Sequence, residues 1–169
     1  MKYLSQIMKA YKYIITGNYI NFAVCEYYND NIFAVLSELT MTSIVLGVDY
    51  QNELQTFTKL HLEAFLVVSV FFQKHIELMF LKFEPSLIAK VLDFAMKGLG
   101  EAQNYELQSS STSLIVSFNE FCYDKLKKSP NQKGPSNNCV KSVHNFYQQN
   151  PGVFLGLAKA LLYALLFVE

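Results

Sequence analysis

His61, His75 and His144, together with Cys25, Cys122 and Cys139, are the residues of this chain best equipped for metal or nucleophilic chemistry. A zinc site wants ligands a few residues apart, as in CxxC or HExxH, so that one turn presents two at once. No CxxC occurs, the histidines lack ligand spacing among themselves or with cysteine, and Glu77 follows His75 at the wrong interval for HExxH. Cys122, between Phe121 and Tyr123, suits a small core position better than a nucleophile. Asp93 and Glu101 have no sequence-visible partner for acid–base work. Neither GxGxxG nor GxxxxGK[ST] is present to cradle a phosphate. The residues predict no enzyme, no metal site and no cofactor.

Lysine offers a different chemistry. Lys125, Lys127, Lys128 and Lys133 fall around the stretch KSPNQKGPSNN, Lys128–Asn138, which has two prolines, one glycine and no apolar residue. That composition predicts a surface loop, tolerant of partial deletion and more mobile than the rest. It reads as a solvated connection, and alternatively as a partner-binding or localisation patch made by the four lysines. Ser109–Ser113, reading SSSTS, has two readings as well. It is either a phosphorylation patch or a small-residue stretch packed against a neighbouring helix. Leu114, Ile115, Phe118 and Cys122 continue directly as a buried face, so packing is expected, with these hydroxyls mostly buried.

Charge and cysteine usage narrow the partners. Fourteen basic residues balance fourteen acidic ones, which leaves no electrostatic argument for nucleic acid or an anionic membrane. The cysteines are odd in number and far apart, and no N-x-S/T sequon occurs, which fits a reducing compartment. Met1–Tyr13 has lysines scattered through it, unlike a signal peptide. Leu62–Phe72 is apolar but too short to cross a bilayer. Gly152–Val168 carries Lys159 mid-span, at a cost of roughly 2.5–3.5 kcal/mol on insertion. Buried helices, not membrane spans, are expected at both places.

The elements that position these residues read as helical throughout, with no period-two run long enough for a strand. Helices are expected over 2–16, 19–28, 31–46, 52–73, 75–82, 85–98, 104–127, 139–149 and 151–168. Gly17 can close the first helix and Asn18 cap the next. Asp30 or Asn31 can cap the third, which Gly47 closes. Pro85 suits a first turn, where its missing N–H costs nothing. Leu87, Ile88, Val91, Leu92 and Ala95 then form an apolar stripe, opposite Ser86, Lys90, Asp93 and Lys97. Gly98 and Gly100 end that helix, and Asn150–Pro151 repeats the cap-plus-proline start. The long helices recur about every fifty residues, a little beyond the ~40–47 of a HEAT or armadillo unit. Periodicity alone leaves a solenoid and an ordinary helical bundle both open.

Four stretches in order narrow that choice: GNYINFAV at Gly17–Val24, FEPSLIAKVLDFAMKGLGEA at Phe83–Ala102, the small-residue helix leading into SFNEFCYDKLKK, and NPGVFLGLAKALLYALLFVE at the end. Together they resemble the C-terminal region of exportin-7 and its relatives, the Ran-binding proteins 16 and 17, within the importin-β superfamily. The resemblance implies an all-α, HEAT-like solenoid of antiparallel helix pairs, with 1–169 a single helical-repeat region of a larger transport receptor. It further implies partners: protein cargo, nucleoporins, and Ran in its GTP form, contacted mainly through regions outside this stretch. No direct nucleic acid and no membrane span belong to that picture, and the protein would shuttle between nucleus and cytoplasm. Around Phe57–Phe80 the chain is more apolar than the family pattern. A self-contained helical adaptor, unrelated to transport, is the alternative.

The end of the chain makes its own prediction. Val153, Phe154, Leu157, Leu161, Leu162, Leu165 and Leu166 share one broad face, and Leu155, Ala158, Tyr163 and Phe167 cover much of the rest. Terminal solenoid repeats present a polar outer face. This helix offers water only Lys159 and Glu169, so further helices are expected to cover it in a longer parent. Left bare, it should drive self-association.

Overall fold

The structure, a computed structural model, describes residues 2–17, 35, 38, 57–100, 104–129 and 137–167. Among these the fold is all-α. The helices are α1 (Lys2–Thr16), α2 (Thr58–Lys82), α3 (Pro85–Leu99), α4 (Tyr105–Leu126), α5 (Asn137–Gln149) and α6 (Val153–Phe167). The chain divides into two compact units, Met1–Lys74 and His75–Glu169. The helices expected at 19–28 and 31–46, with their caps at Asn18, Asp30, Asn31 and Gly47, lie outside the described residues, apart from helical positions Val35 and Glu38.

In the first unit, α1 ends where expected: the Gly17 N–H donates to the Tyr13 carbonyl at 2.8 Å. The facing part of α2 is dense with buried side chains, among them Phe65, Val67, Val68, Phe71 and Phe72. Tyr11 lies against Phe71, ring centroids 6.0 Å apart. Lys12 reaches Glu63 at 3.5 Å with both side chains mostly covered, 19% and 10% exposed. Glu63 is a charge held inside by its partner, as a buried carboxylate must be.

Two helices anticipated over 52–73 and 75–82 appear as a continuous α2 from Thr58. Its backbone leaves helical geometry at His75 (φ −133°, ψ 25°), the first residue of the second anticipated segment. Among the described residues α2 is the one helix long and apolar enough to cross a membrane by length and composition. Half of its most apolar window is buried within the protein.

In the second unit, Pro85 occupies the first turn of α3 as anticipated, and Ile88, Val91, Leu92 and Ala95 form its buried stripe. Ser86, Lys90, Asp93 and Lys97 are exposed. Gly98 is buried inside the helix, and Gly100 caps it in the right-handed region (φ −79°), so neither glycine uses the left-handed conformation. Asn104 starts α4, its Oδ1 accepting from the Leu107 N–H at 3.2 Å. Buried residues Leu107, Ser111, Leu114, Ile115, Phe118 and Cys122 repeat at helical intervals along α4.

Two boundaries differ from the sequence reading. α5 begins at Asn137, so the loop after Lys128 is shorter than Lys128–Asn138; residues 130–136, including Lys133, lie outside the described set. Pro151 and Gly152 form a turn ahead of α6, and the Asn150 side chain donates back to the Phe146 carbonyl at 3.1 Å. Asn150 therefore closes α5 and does not cap α6.

The core of this unit is aromatic. Phe80 of α2 stacks on Phe121 of α4 at 5.6 Å and meets Phe146 of α5 edge-on at 5.7 Å. Phe118 of α4 touches Phe146 at 5.8 Å and Phe154 of α6 at 5.9 Å. α3 packs against α4, α5 and α6, and α6 packs on α3 and α4. Since Phe154 meets the C-terminal half of α4 while Leu161 and Leu165 lie across from Tyr105 and Ser109, α6 runs antiparallel to α4.

Candidate protein-interaction surface

The four lysines singled out by sequence meet different fates. Lys125 Nζ sits 3.0 Å from Glu77 Oε1 and 5.0 Å from the centre of the Phe121 ring, with only 12% of its side chain exposed. Its stem is packed and its charge is engaged at home. Lys127 lies over the ring of Tyr123 at 3.9 Å, at the exposed end of α4. Lys128 is exposed, and its carbonyl accepts from His144 Nε2 at 3.2 Å, fixing that ring nitrogen as the protonated one. The structure thus brings Lys127 and Lys128 to one exposed helix end and turns Lys125 inward.

The cysteines lie beside this corner. Burial pushes the Cys122 thiol up to about 12, reinforced by charge on Cys139. Cys139 is raised to about 11, first by burial; Lys125 lowers it, and Glu77 raises it through charge and a hydrogen bond. Both thiols are protonated at neutral pH and poor nucleophiles. Among the described residues no three of His, Cys, Asp and Glu gather to hold a metal ion.

The serine-rich stretch corrects the sequence reading. Ser111 is fully buried and donates to the Leu107 carbonyl at 2.7 Å. Ser109, Thr112 and Ser113 are exposed and Ser110 half-buried, so the expectation of a mostly buried stretch holds at one position. The reason is register. Ser111 falls on the stripe of Leu107, Leu114, Ile115 and Phe118, and the others are turned away from it.

Their small size has another consequence. Ser109, Thr112 and Ser113, with Tyr105 and Gln108, form one wall of an open groove of 470 Å³. Leu161, Ala164 and Leu165 of α6 form the other, and Leu99 of α3 also lines the groove. Outside this wall α6 is bare at Leu155, 60% exposed, Leu162, 57%, and Leu166, 69%; Leu165, in the wall itself, is 81% exposed. Sequence reasoning foresaw the bare helix but missed the groove; exposed small residues at i, i+3 and i+4 were its signal.

Two curated proteins resemble the chain over its whole length. Ran-binding protein 17 of Homo sapiens is 26% identical over 171 residues, covering 100% of this chain and 15% of that protein. Ran-binding protein 17 of Mus musculus is 25% identical over the same extent. The chain therefore spans about 15% of the length of the relatives it matches. The likeness is distant and end to end. No family model matches the chain, and no solved structure matches it.

Proposed function

We propose that this chain is a segment of the helical scaffold of an exportin-7-like nuclear transport receptor, one that carries protein cargo through the nuclear pore with Ran in its GTP form. The observation that carries the reading is the 26% identity to human Ran-binding protein 17 along the entire chain. The all-α fold is the physical form such a scaffold takes. Stacked helix pairs touch mainly their neighbours, so the array can flex and still offer a long surface to cargo. On this reading the segment holds shape and presents side chains, Ran is contacted mainly elsewhere in the receptor, and the protein shuttles between nucleus and cytoplasm. It performs no catalysis and takes no cofactor. Lys127 and Lys128 are the residues of the basic corner placed to meet an acidic partner.

One observation favours the rival, a self-contained helical adaptor. α6 packs on α3 and α4, and α3 also touches α5, a closed cluster of helices more than a chain of pairs. Binding of the full-length protein to Ran in its two nucleotide states separates the readings: the transport reading expects a preference for the GTP form, and an adaptor unrelated to transport expects binding to neither.

A further inference from the structure

Among the described residues every serine and threonine lies in a helix except Ser129. It is exposed, in non-helical backbone just past the end of α4 at Leu126. The helix is closed off before it: the Lys127 N–H donates to the Tyr123 carbonyl at 3.2 Å, and the Lys128 N–H to the Lys125 carbonyl at 3.1 Å. Ser129 is also the one hydroxyl residue of the whole chain that precedes a proline; the other prolines follow Glu84, Gly134 and Asn150. A following proline disfavours helical backbone and favours an extended one. We propose that Ser129 is the phosphoacceptor of a proline-directed protein kinase, and that its phosphate cancels the charge of the Lys127–Lys128 corner.

Two features favour Ser129 over the hydroxyls of the SSSTS run. The first is backbone. An enzyme that takes a peptide in extended form needs main-chain groups that a helix has already engaged. Thr112 is bound up in this way: its hydroxyl donates to the Gln108 carbonyl at 2.9 Å, within α4. Ser129 is reached without unwinding α4. The second is the residue that follows. Proline brings a fixed ring and no N–H, so a site built for it rejects serines followed by other residues. The chain supplies that pair once.

In the transfer, Ser129 Oγ attacks the γ-phosphorus of ATP. An O–P bond forms, the bond from that phosphorus to the β,γ-bridging oxygen breaks, and ADP leaves with the electron pair. The hydroxyl proton passes to the kinase's base. The product carries roughly 1.5–2 negative charges at neutral pH, beside the exposed cations Lys127 and Lys128. The negative end of the α4 dipole, about half a charge, opposes the phosphate less than two whole lysines attract it. The corner passes from cationic to near neutral. What this does to an acidic partner rests on the function proposed for the corner; the phosphorylation itself does not.

Incubating the folded chain with a recombinant proline-directed kinase and γ-labelled ATP tests the site. The expected result is a single phosphate, mapped to Ser129 by mass spectrometry. Ser129→Ala and Pro130→Ala should each lose the label, and Ser113→Ala should keep it. The folded chain should react about as fast as a synthetic peptide of residues 123–136. A rate lower by about tenfold or more would mark a site reached only when the chain opens, and would overturn the proposal. Label on the α4 serines in place of Ser129, or a Pro130→Ala variant labelled like the native chain, would overturn it too. Fluorescence anisotropy with a labelled oligoglutamate peptide reads the charge. Phosphorylation should raise its Kd about tenfold or more, as should Lys127→Ala with Lys128→Ala in the unmodified chain. Equal affinity before and after phosphorylation would overturn the charge cancellation. A native chain that is phosphorylated at Ser129 yet ignores oligoglutamate would instead overturn the acidic-partner reading of the corner.

Discussion

Phe118 of α4 meets Phe146 of α5 edge to face, with ring centroids 5.8 Å apart and planes at 77°. Both rings are almost wholly buried, and Phe80 and Phe154 bring α2 and α6 to the same cluster. Phe118→Ala should therefore lower stability by about 3–5 kcal/mol, the usual cost of emptying a packed aromatic site. Urea unfolding followed by circular dichroism measures it, and a loss well under 1 kcal/mol would mean that Phe118 does not join these helices.

Ser111 and Ser113 stand two residues apart on the same helix, one buried and one exposed. Ser111→Leu should cost about 1–3 kcal/mol by overpacking the space around Leu107 and Ile115. Ser113→Ala should stay within about 0.5 kcal/mol of native. Equal thermal melts for the two variants would contradict the assignment of Ser111 to the core.

Gly156 lies within α6, and a Cβ added there would meet the Met96 sulfur at 3.7 Å, ordinary contact distance. Gly156→Ala should then gain helix propensity without a clash and stabilise the chain by about 0.5–1 kcal/mol. Destabilisation on chemical unfolding would show that α6 and α3 pack more closely than this.

Cys122 and Cys139 set a pH dependence. Their thiols titrate near 12 and 11 in the folded chain against about 9 when unmasked. Between those values the folded state holds the protons more tightly. The stability this contributes is complete below pH 9 and is lost as pH rises through 11 and 12. Each thiol can steepen the decline by up to about 1.4 kcal/mol per pH unit. Cys122→Ala should flatten that alkaline limb, whereas an unchanged limb would contradict the raised Cys122 thiol. Thiol reagents at neutral pH should label both sites only as fast as the chain opens.

Much of the fold was legible because helix patterning is local. Leu87 to Ala95 carried a 3.6-residue stripe, Pro85 marked a start, and Lys90, Asp93 and Lys97 marked the wet side. α1, α3 and α4 came out within a residue or two. The misplaced features have two causes: Asn150 and the serines turn on local alternatives, and Lys125 on a partner distant in sequence. Asn150 could cap α6 or close α5, and the choice follows from where Phe146 presents its carbonyl. The SSSTS run was sortable within its own helix: Ser111 lies three, four and seven residues before Leu114, Ile115 and Phe118, which puts it on the buried stripe. Lys125 read as one member of a basic patch because Glu77, its partner, lies 48 residues earlier. The groove needed both α4 and α6 in place, so no single stretch announced it.

The proposal that this chain belongs to a transport receptor rests on its likeness to proteins named for binding Ran. The most direct test is the affinity of the full-length protein for Ran loaded with a non-hydrolysable GTP analogue, compared with Ran loaded with GDP, by surface plasmon resonance. The account predicts clear binding to the GTP-analogue form and binding to the GDP form at least tenfold weaker, a difference of about 1.4 kcal/mol or more. Binding to neither form, or equal binding to both, would contradict it.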